Sequence, residues 1–471
     1  MKLCLLIFCL FIVSCNLSPR YERPEMEMPY EWRIPTEEAT ETSNIDWWKQ
    51  FNDPVLDGLI DKALQHNQDI KVAIYTVDQF VAKLGIARSQ LYPQISANAS
   101  GGREKVSTTI GTTQPGLPPI FNDYSLLFNV SYLVDIWGQI RSTVEAARAS
   151  LYAEIQTRRG VVLTVVSSLA SSYIKLRQFD LQLVIAYETL NSRLEAYKIA
   201  EVRYELGLTS EIEVDQAKAE VETALIEVDQ LKINIALEED LICVLTGEPP
   251  SSVERGKLLI EIQTPPSVPA ELPSELLNQR PDILSAEQNL ISANAQIGVA
   301  RSQFFPQINL VGDYGWQTSF WHQFFTVPSS VWQYGVTILQ EIFTGGELTS
   351  NLNLTIAQKS TLVHQYQSTV LNAFKEVNDA LISHKISLQL VEDHKERVKT
   401  LAEYLKLATL RYEDGLTDYL TYLDAERQLF AAELDYAAAL GTSFTTLIDI
   451  YAALGGGWVV EADRSVLNYL K

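Results

Sequence analysis

Two periods of hydrophobic and polar residues alternate along the chain. From Asn122 to Trp137 the even positions read Tyr124, Leu126, Phe128, Val130, Tyr132, Val134 and Ile136, with Asp123, Ser125, Asn129, Ser131 and Asp135 between them. A period of two gives a strand with one apolar and one polar face. Trp332, Tyr334, Val336, Ile338 and Ile342 repeat the pattern opposite Gln333, Thr337 and Glu341. Ile308, Leu310, Tyr314 and Trp316 do so on a partner strand, and a weaker strand after Pro93 carries Ile95, Ala97 and Ala99. The chain therefore holds about four strands of roughly ten residues, a length that suits a tilted transmembrane strand. After Gly138 the period changes: steps of three and four run through Val162, Val165, Leu169, Tyr173 and Leu176, then Leu183, Tyr187, Leu190, Leu194 and Tyr197. This is the near-heptad spacing of helices packed side by side. The helix predicted between Gly138 and Gly207 is about 68 residues, roughly 100 Å if unbroken, and an equally long one runs from Gly346 to Gly415.

These elements occur twice. Ala87-Arg-Ser-Gln-Leu-Tyr-Pro93-Gln-Ile95 returns as Ala300-Arg-Ser-Gln-Phe-Phe-Pro306-Gln-Ile308, and in each copy a helical pattern runs up to a proline before a strand pattern begins. Gly138 and Gly207 are 69 apart, as are Gly346 and Gly415, while Gly207 to Gly247 and Gly415 to Gly455 are both 40. Pro93 to Gly138 is 45 and Pro306 to Gly346 is 40, which puts the length difference inside a β-hairpin. The spacings imply internal duplication. Residues 46–248 form a first repeat of helix, hairpin, long helix and helix, 249–272 a Pro-rich linker, 273–460 a second repeat, and 461–471 a short tail. Within the first repeat, Leu56, Leu59, Ile60, Ala63 and Leu64 open a helix expected to break near Asn67 to Asp69 and to run on to Pro93.

A four-stranded sheet cannot sit alone in lipid, because its edges would leave backbone groups without partners, and the smallest membrane barrels have about eight strands. The chain must then share strands with copies of itself. The competing fold is a soluble β-sandwich whose apolar face is covered by a second sheet. The long helices exceed any ordinary globular element and are not apolar all round, so they look like staves of a coiled-coil tube in water.

A net charge of −22 argues against nucleic-acid binding, which needs a basic stripe. Residues 1–14 read as a signal: Lys2, then an apolar run too short to span a bilayer. Ile12-Val13-Ser14-Cys15 matches a bacterial lipobox, in which the cysteine becomes the lipid attachment site; a plain secretory signal is the alternative. Residues 15–45, rich in Pro, Glu and Tyr and without period, form an extended tether. Of four cysteines only Cys243 stays free in the mature body, so no intrachain disulfide is possible.

The five histidines (His66, His322, His364, His384 and His394) fall in no metal-ligand spacing, and no phosphate loop or nucleophile elbow is present. Neither an enzyme nor a cofactor is expected. Trp137, Trp316, Trp321, Trp332 and Phe343 lie near the ends of the strands, where a membrane-interface girdle of aromatics forms. Each long helix ends in one motif, Arg203-Tyr204-Glu-Leu-Gly207-Leu208-Thr209 and Arg411-Tyr412-Glu-Asp-Gly415-Leu416-Thr417. The glycines fit left-handed C-caps, and Ser210 with Glu213 spells a capping box for the returning helix. Either these are ordinary αα-hairpin turns or the pair makes a shared docking tip.

With Trp47-Trp48…Phe51-x-Asp53-Pro54, Leu272-Pro-Ser-Glu-Leu-Leu…Arg280-Pro-Asp-Ile, Ile297-Gly-Val-Ala-Arg-Ser-Gln-Phe-Phe-Pro306, the two Arg-Tyr-x-x-Gly-Leu tips, Tyr419-Leu-Thr-Tyr-Leu-Asp424-Ala and Leu454-Gly-Gly-Gly-Trp458, the chain resembles the TolC-type outer-membrane efflux proteins, and among them the lipoprotein branch often called NodT-type. The likeness covers nearly the whole mature chain; Glu271 replaces a usual glycine. It implies a mainly α fold with a transmembrane β-barrel: a homotrimer with a 12-stranded barrel in the outer membrane and a 12-helix periplasmic tunnel. It also implies a periplasmic adaptor docked on Arg203, Tyr204, Gly207, Leu208, Arg411, Tyr412, Gly415 and Leu416, and an inner-membrane pump behind it. Asp424 falls where the family places an acidic periplasmic gate, with Glu213 a weaker candidate and Thr421 where some members carry a second acid. The function expected is passive exit of small toxic compounds. A duct for secreted proteins and a non-conducting trimeric scaffold remain the rivals.

Overall fold

The computed structural model describes residues 17–26, 32, 46–107, 119–262 and 276–456; Cys15, Glu271 and Trp458 lie outside them. Strands β1 (Gln94–Lys105), β2 (Ile120–Val134), β3 (Gln307–Thr318) and β4 (Ser330–Leu339) form one antiparallel sheet in that order. The helices are α1 (Pro54–His66), α2 (Gln68–Ser89), α3 (Gln139–Glu205), α4 (Glu211–Thr246), α5 (Pro281–Ser302), α6 (Glu347–Glu413) and α7 (Tyr419–Ala453), with a helical turn at Leu276–Gln279 before α5. The chain separates into two compact units, residues 1–25, 77–154 and 286–366, and residues 26–76, 155–285 and 367–471.

The duplication is visible in the backbone. β1 and β3 are each 12 residues and begin one residue after Pro93 and Pro306. α3 and α6 are each 67 residues and begin one residue after Gly138 and Gly346. The length difference between the halves therefore falls within the hairpins, as the spacing predicts. Six landmark glycines, 138, 207 and 247 with 346, 415 and 455, all have positive φ, between 70° and 91°. Side chains with a Cβ rarely adopt that conformation, so glycine is what lets each long helix start and stop where it does. The helices do not reach the prolines, however. α2 ends at Ser89 and α5 at Ser302, and in the first copy Leu91 and Tyr92 turn back to the carbonyls of Arg88 and Ser89 at 3.0 and 3.1 Å. Proline disfavours helical geometry in the residue before it, so the chain leaves the helix early and uses a turn to enter the strand.

In the first unit residues 17–23 lie along α5. The Asn294 amide donates to the Pro19 carbonyl at 2.7 Å, Arg301 donates to the Leu17 carbonyl at 3.3 Å, and Arg23 grips Glu287 through Nε and Nη2 at 2.7 and 2.6 Å. Gly298 makes room for this strap, since a Cβ there would come within 1.9 Å of Ser18 Oγ.

In the second unit Trp47, Trp48 and Phe51 are fully buried against α1, α3 and α7, and Trp47 stacks on Tyr451 at 5.1 Å. Asp53 is the polar centre of that core. It caps α1 through Val55 N at 3.0 Å and accepts from the Tyr173 hydroxyl at 2.8 Å and from Lys257 N at 3.2 Å. The break between α1 and α2 falls at Asn67, whose amide donates to the Leu245 carbonyl and whose oxygen accepts from Ile70 N. Cys243 is buried, with a free thiol that donates to the Ser251 carbonyl at 3.3 Å.

Candidate functional site

Two surfaces carry the functional argument, one in each unit. The first is the sheet. Its register aligns Ala97, Phe128, Tyr314 and Trp332 in one row across all four strands, and Ile95, Val130, Gly312 and Tyr334 in the next. Tyr132, Leu310 and Val336 follow, then Val134, Ile308 and Ile338. The intervening rows on the opposite face include Ser96, Asn129, Asp313 and Gln333. One face is thus apolar over its whole width, yet Trp332, Tyr334, Val336 and Ile338 are between 60% and 79% exposed. Among the described residues no second sheet covers it, which removes the sandwich fold. Among the described residues the outer edges of β1 and β4 have no strand beside them. A strand of twelve residues is about 40 Å long and, tilted by roughly 45°, crosses about 28 Å, a hydrocarbon thickness.

Aromatic residues gather at both ends of this face. Trp137 and Phe343 lie just beyond the strands, not in them, because β2 stops at Val134 and β4 at Leu339. Trp137 stacks on Phe305 at 4.7 Å and donates to the Pro306 carbonyl at 2.8 Å; Phe343 is almost fully exposed. Towards the opposite end, Trp316 meets Phe325 and Trp332 stacks on Tyr334.

The second surface is the helical tip. Gly207 and Gly415 turn α3 into α4 and α6 into α7, and the two turns interlock. Arg203 donates to the Tyr412 hydroxyl at 2.8 Å and lies over its ring, Tyr412 donates to Glu213 Oε1, and Thr209 donates to Glu213 Oε2. Burial, reinforced by the Glu213 carboxylate, holds the Tyr412 hydroxyl well above its ordinary range. Tyr419 and Tyr422 complete the cluster around Tyr412, and burial pushes Tyr422 up to about 12. The expected capping box does not form: Ser210 is the N-cap of α4 but its side chain makes no cap bond, the Glu213 N–H donates to the Ser210 carbonyl at 3.1 Å, and the Glu213 carboxylate is committed to Thr209 and Tyr412. Asp418 caps α7 instead, accepting from Thr421 N and Oγ1 at 3.1 and 2.6 Å, and those bonds hold its carboxyl below the usual range.

The duplicated tips are therefore not equivalent. Glu213 and Thr421 occupy matching positions three residues after the N-caps, and only the first is a carboxylate that can hold a tyrosine. Tyr412 is tied in, while Tyr204, Leu208, Arg411, Leu416 and both glycines are exposed. Asp424 is exposed on the first turns of α7 and accepts from the Gln428 amide at 2.6 Å. Sequence reasoning missed the buried network behind this tip. Arg193 of α3 is 2% exposed, pairs with Glu426 of α7 at 3.0 Å and Glu220 of α4 at 3.1 Å, and sits over the Phe430 ring at 5.1 Å. Arg427 reaches Glu220 from the other side at 2.8 Å. No local spacing announces a network whose members come from three helices.

A sheet with a lipid-compatible face, in a chain that also holds two helices of 67 residues, defines a membrane-channel architecture, and the comparisons with known proteins place it. The family model described as outer membrane efflux protein matches residues 59–242 and again 272–456, one match for each repeat, and the chain belongs to that family. It is 32% identical over 470 residues to the probable efflux pump outer membrane protein TtgC of Pseudomonas putida, covering 98% of this chain and 97% of that one. To the cation efflux system protein CusC of Escherichia coli it is 30% identical over 470 residues, covering 96% and 98%. Among solved structures it superposes on the Campylobacter jejuni CmeC outer membrane channel with a TM-score of 0.89 at 26% identity, covering 97% and 98%. On the open state of the Neisseria gonorrhoeae MtrE channel the TM-score is 0.84 at 28% identity, covering 94% and 99%. The chain is an outer-membrane exit duct for efflux, mainly α with a transmembrane sheet of four strands.

Proposed function

We propose that three copies of the chain join β4 of one to β1 of the next, closing a barrel of twelve strands over a tunnel of helices, and that this duct passively releases small toxic compounds. The observation that carries the reading is the sheet itself: an apolar face in register across four strands, with no further strand on either edge among the described residues. Three such sheets exceed the minimum for a membrane barrel, and closure alone satisfies the edge groups. Exposed apolar residues on the long helices, among them Ile226, Ile233 and Leu237 on α4 and Leu388, Leu407 and Leu410 on α6, give neighbouring chains a surface to cover. Relatives named for toluene and solvent efflux favour apolar cargo, while selection of the cargo belongs to an inner-membrane pump reached through a periplasmic adaptor.

The exposed tip residues Tyr204, Leu208, Arg411 and Leu416 offer that adaptor an apolar and cationic edge around Gly207 and Gly415, with Arg203 and Tyr412 fixing its shape. Asp424, exposed beside the tip, is the gate carboxylate; Glu213 serves the latch instead. Trp137 and Phe343 mark one membrane interface, Trp316 and Trp332 the other. Cys15 carries the lipid: Leu17, two residues on, is fastened to Arg301 at the end of α5, five residues before the Pro306 that precedes β3, which suits an anchor at the barrel rim. Single-channel recording in planar bilayers tests the duct. Discrete steps from a species that crosslinks as a trimer are expected; an absence of conductance from folded trimer would leave the scaffold in its place.

A further inference from the structure

The β3–β4 connection, residues 319–329, is folded and aromatic. Two 3-10 turns, Trp321–Gln323 and Val327–Ser329, shape it, and the buried Ser329 hydroxyl lies within 2.9 Å of the carbonyls of Gln323, Phe324 and Thr326. Its side chains nevertheless point outward: Phe320, Trp321, Phe325 and Val327 are between 59% and 87% exposed. The position of two of them decides the matter. Trp321 meets Tyr124 edge-on at 5.5 Å and Phe325 meets Trp316 at 5.5 Å. Tyr124 and Trp316 stand on the apolar face of the sheet, in the same alternation as Leu126, Phe128 and Tyr314. The loop thus folds over the outside of the sheet and not across its polar side. It also carries no formal charge: from Tyr314 to Gln340 there is no Asp, Glu, Lys or Arg, in a chain with 96 such residues.

Resting on the reading that the apolar face meets lipid, we infer that the β3–β4 loop is a second membrane-binding element, an aromatic wedge seated at the boundary between acyl chains and headgroups of the bilayer. The occupant follows from continuity with the apolar face and from composition. Amphipathic aromatic rings favour that boundary. The absence of any Lys or Arg leaves nothing to pair with headgroup phosphates, so the acyl boundary is what it takes. Because the Ser329 knot preorganises the loop, little ordering is needed on insertion.

The test uses the full-length protein reconstituted in phosphatidylcholine vesicles with or without bromine on the upper acyl chain. Trp321 emission is taken as the difference between the natural protein and Trp321→Phe, and Phe325→Trp supplies an independent reporter on the same loop. Both reporters should lose about half of their emission in the brominated vesicles and stay unaffected by iodide in the water, as for side chains seated below the headgroups. Quenching by iodide overturns the inference, and so does resistance to both quenchers, which would place the loop against another protein surface. Conductance of the same preparation separates the two readings: a conducting protein with an iodide-quenched loop refutes the wedge alone, and a non-conducting one refutes the duct.

Discussion

Replacing Arg193 by leucine should show what holds the tip together. The guanidinium is 2% exposed and is shared between Glu426 and Glu220. Glu220 keeps Arg427 after the change, but the partner of Glu426 is gone, and the carboxylate is then buried without compensation. Breaking a buried pair from one side costs about 3–5 kcal/mol, whereas replacing both partners by apolar groups is often nearly neutral. Arg193→Leu should therefore lower the opening free energy of amides around Glu220 and Glu426 by that amount at pH 8, measured by hydrogen exchange on detergent-solubilised protein. Arg193→Leu with Glu426→Leu should recover most of it. The pH dependence has a defined sign. Burial already holds the Glu426 carboxyl above its ordinary value, with Arg193 opposing that shift. An acid whose folded-state pKa is raised binds more protons when folded, so its contribution favours the closed state at low pH and is lost as pH rises through the folded value. Without Arg193 the folded pKa climbs further, so the deficit of the single variant should shrink between pH 8 and pH 5. Equal deficits at both pH values, or a loss below about 1 kcal/mol, would refute the reasoning, because a buried uncompensated charge cannot be that cheap.

Asp424→Ala should raise leakage of large antibiotics through the duct and increase resting conductance; unchanged conductance would remove Asp424 from the gate. Gly315→Ala should abolish assembly into a heat-resistant oligomer on gels, since a Cβ there would sit 1.9 Å from the Leu126 carbonyl oxygen, a backbone atom that cannot yield without unpairing β2 from β3. Cys15→Ala should fold and still enter the outer membrane through the barrel, with weaker anchoring seen as partial release in membrane fractionation; complete loss of outer-membrane localisation would show that the sheet does not insert by itself. Phe128→Lys, a charge in the middle of the apolar face, should destabilise the inserted state by about 2–4 kcal/mol in lipid refolding assays.

Most of the fold was legible because its signals are local and repeated. The alternation over Tyr124 to Val134 needs only the pleat to be read, and the spacing of Gly138, Gly207 and Gly247 is copied at Gly346, Gly415 and Gly455 because each glycine meets a backbone demand that other residues satisfy poorly. The tip was legible only in outline. Arg203 and Tyr412 stand out in the sequence as part of a repeated tip motif, but that they bond to each other, and that Glu213 accepts from Tyr412, depends on how four helix ends meet. The same holds for Arg193, Glu220 and Glu426, which are 27 and 206 positions apart along the chain. The mistaken capping box has the same origin: Ser210 and Glu213 have the right spacing, and a tyrosine 199 residues away outcompetes the local bond.

The bare edges of β1 and β4 also bear on the life of the molecule before it reaches its destination. A newly made copy moving through water presents two rows of unsatisfied peptide groups beside a greasy surface, the combination that drives strands from different molecules to stack without limit. Meeting its siblings quickly is thus a condition of staying soluble, and the hazard grows with every delay between export and insertion.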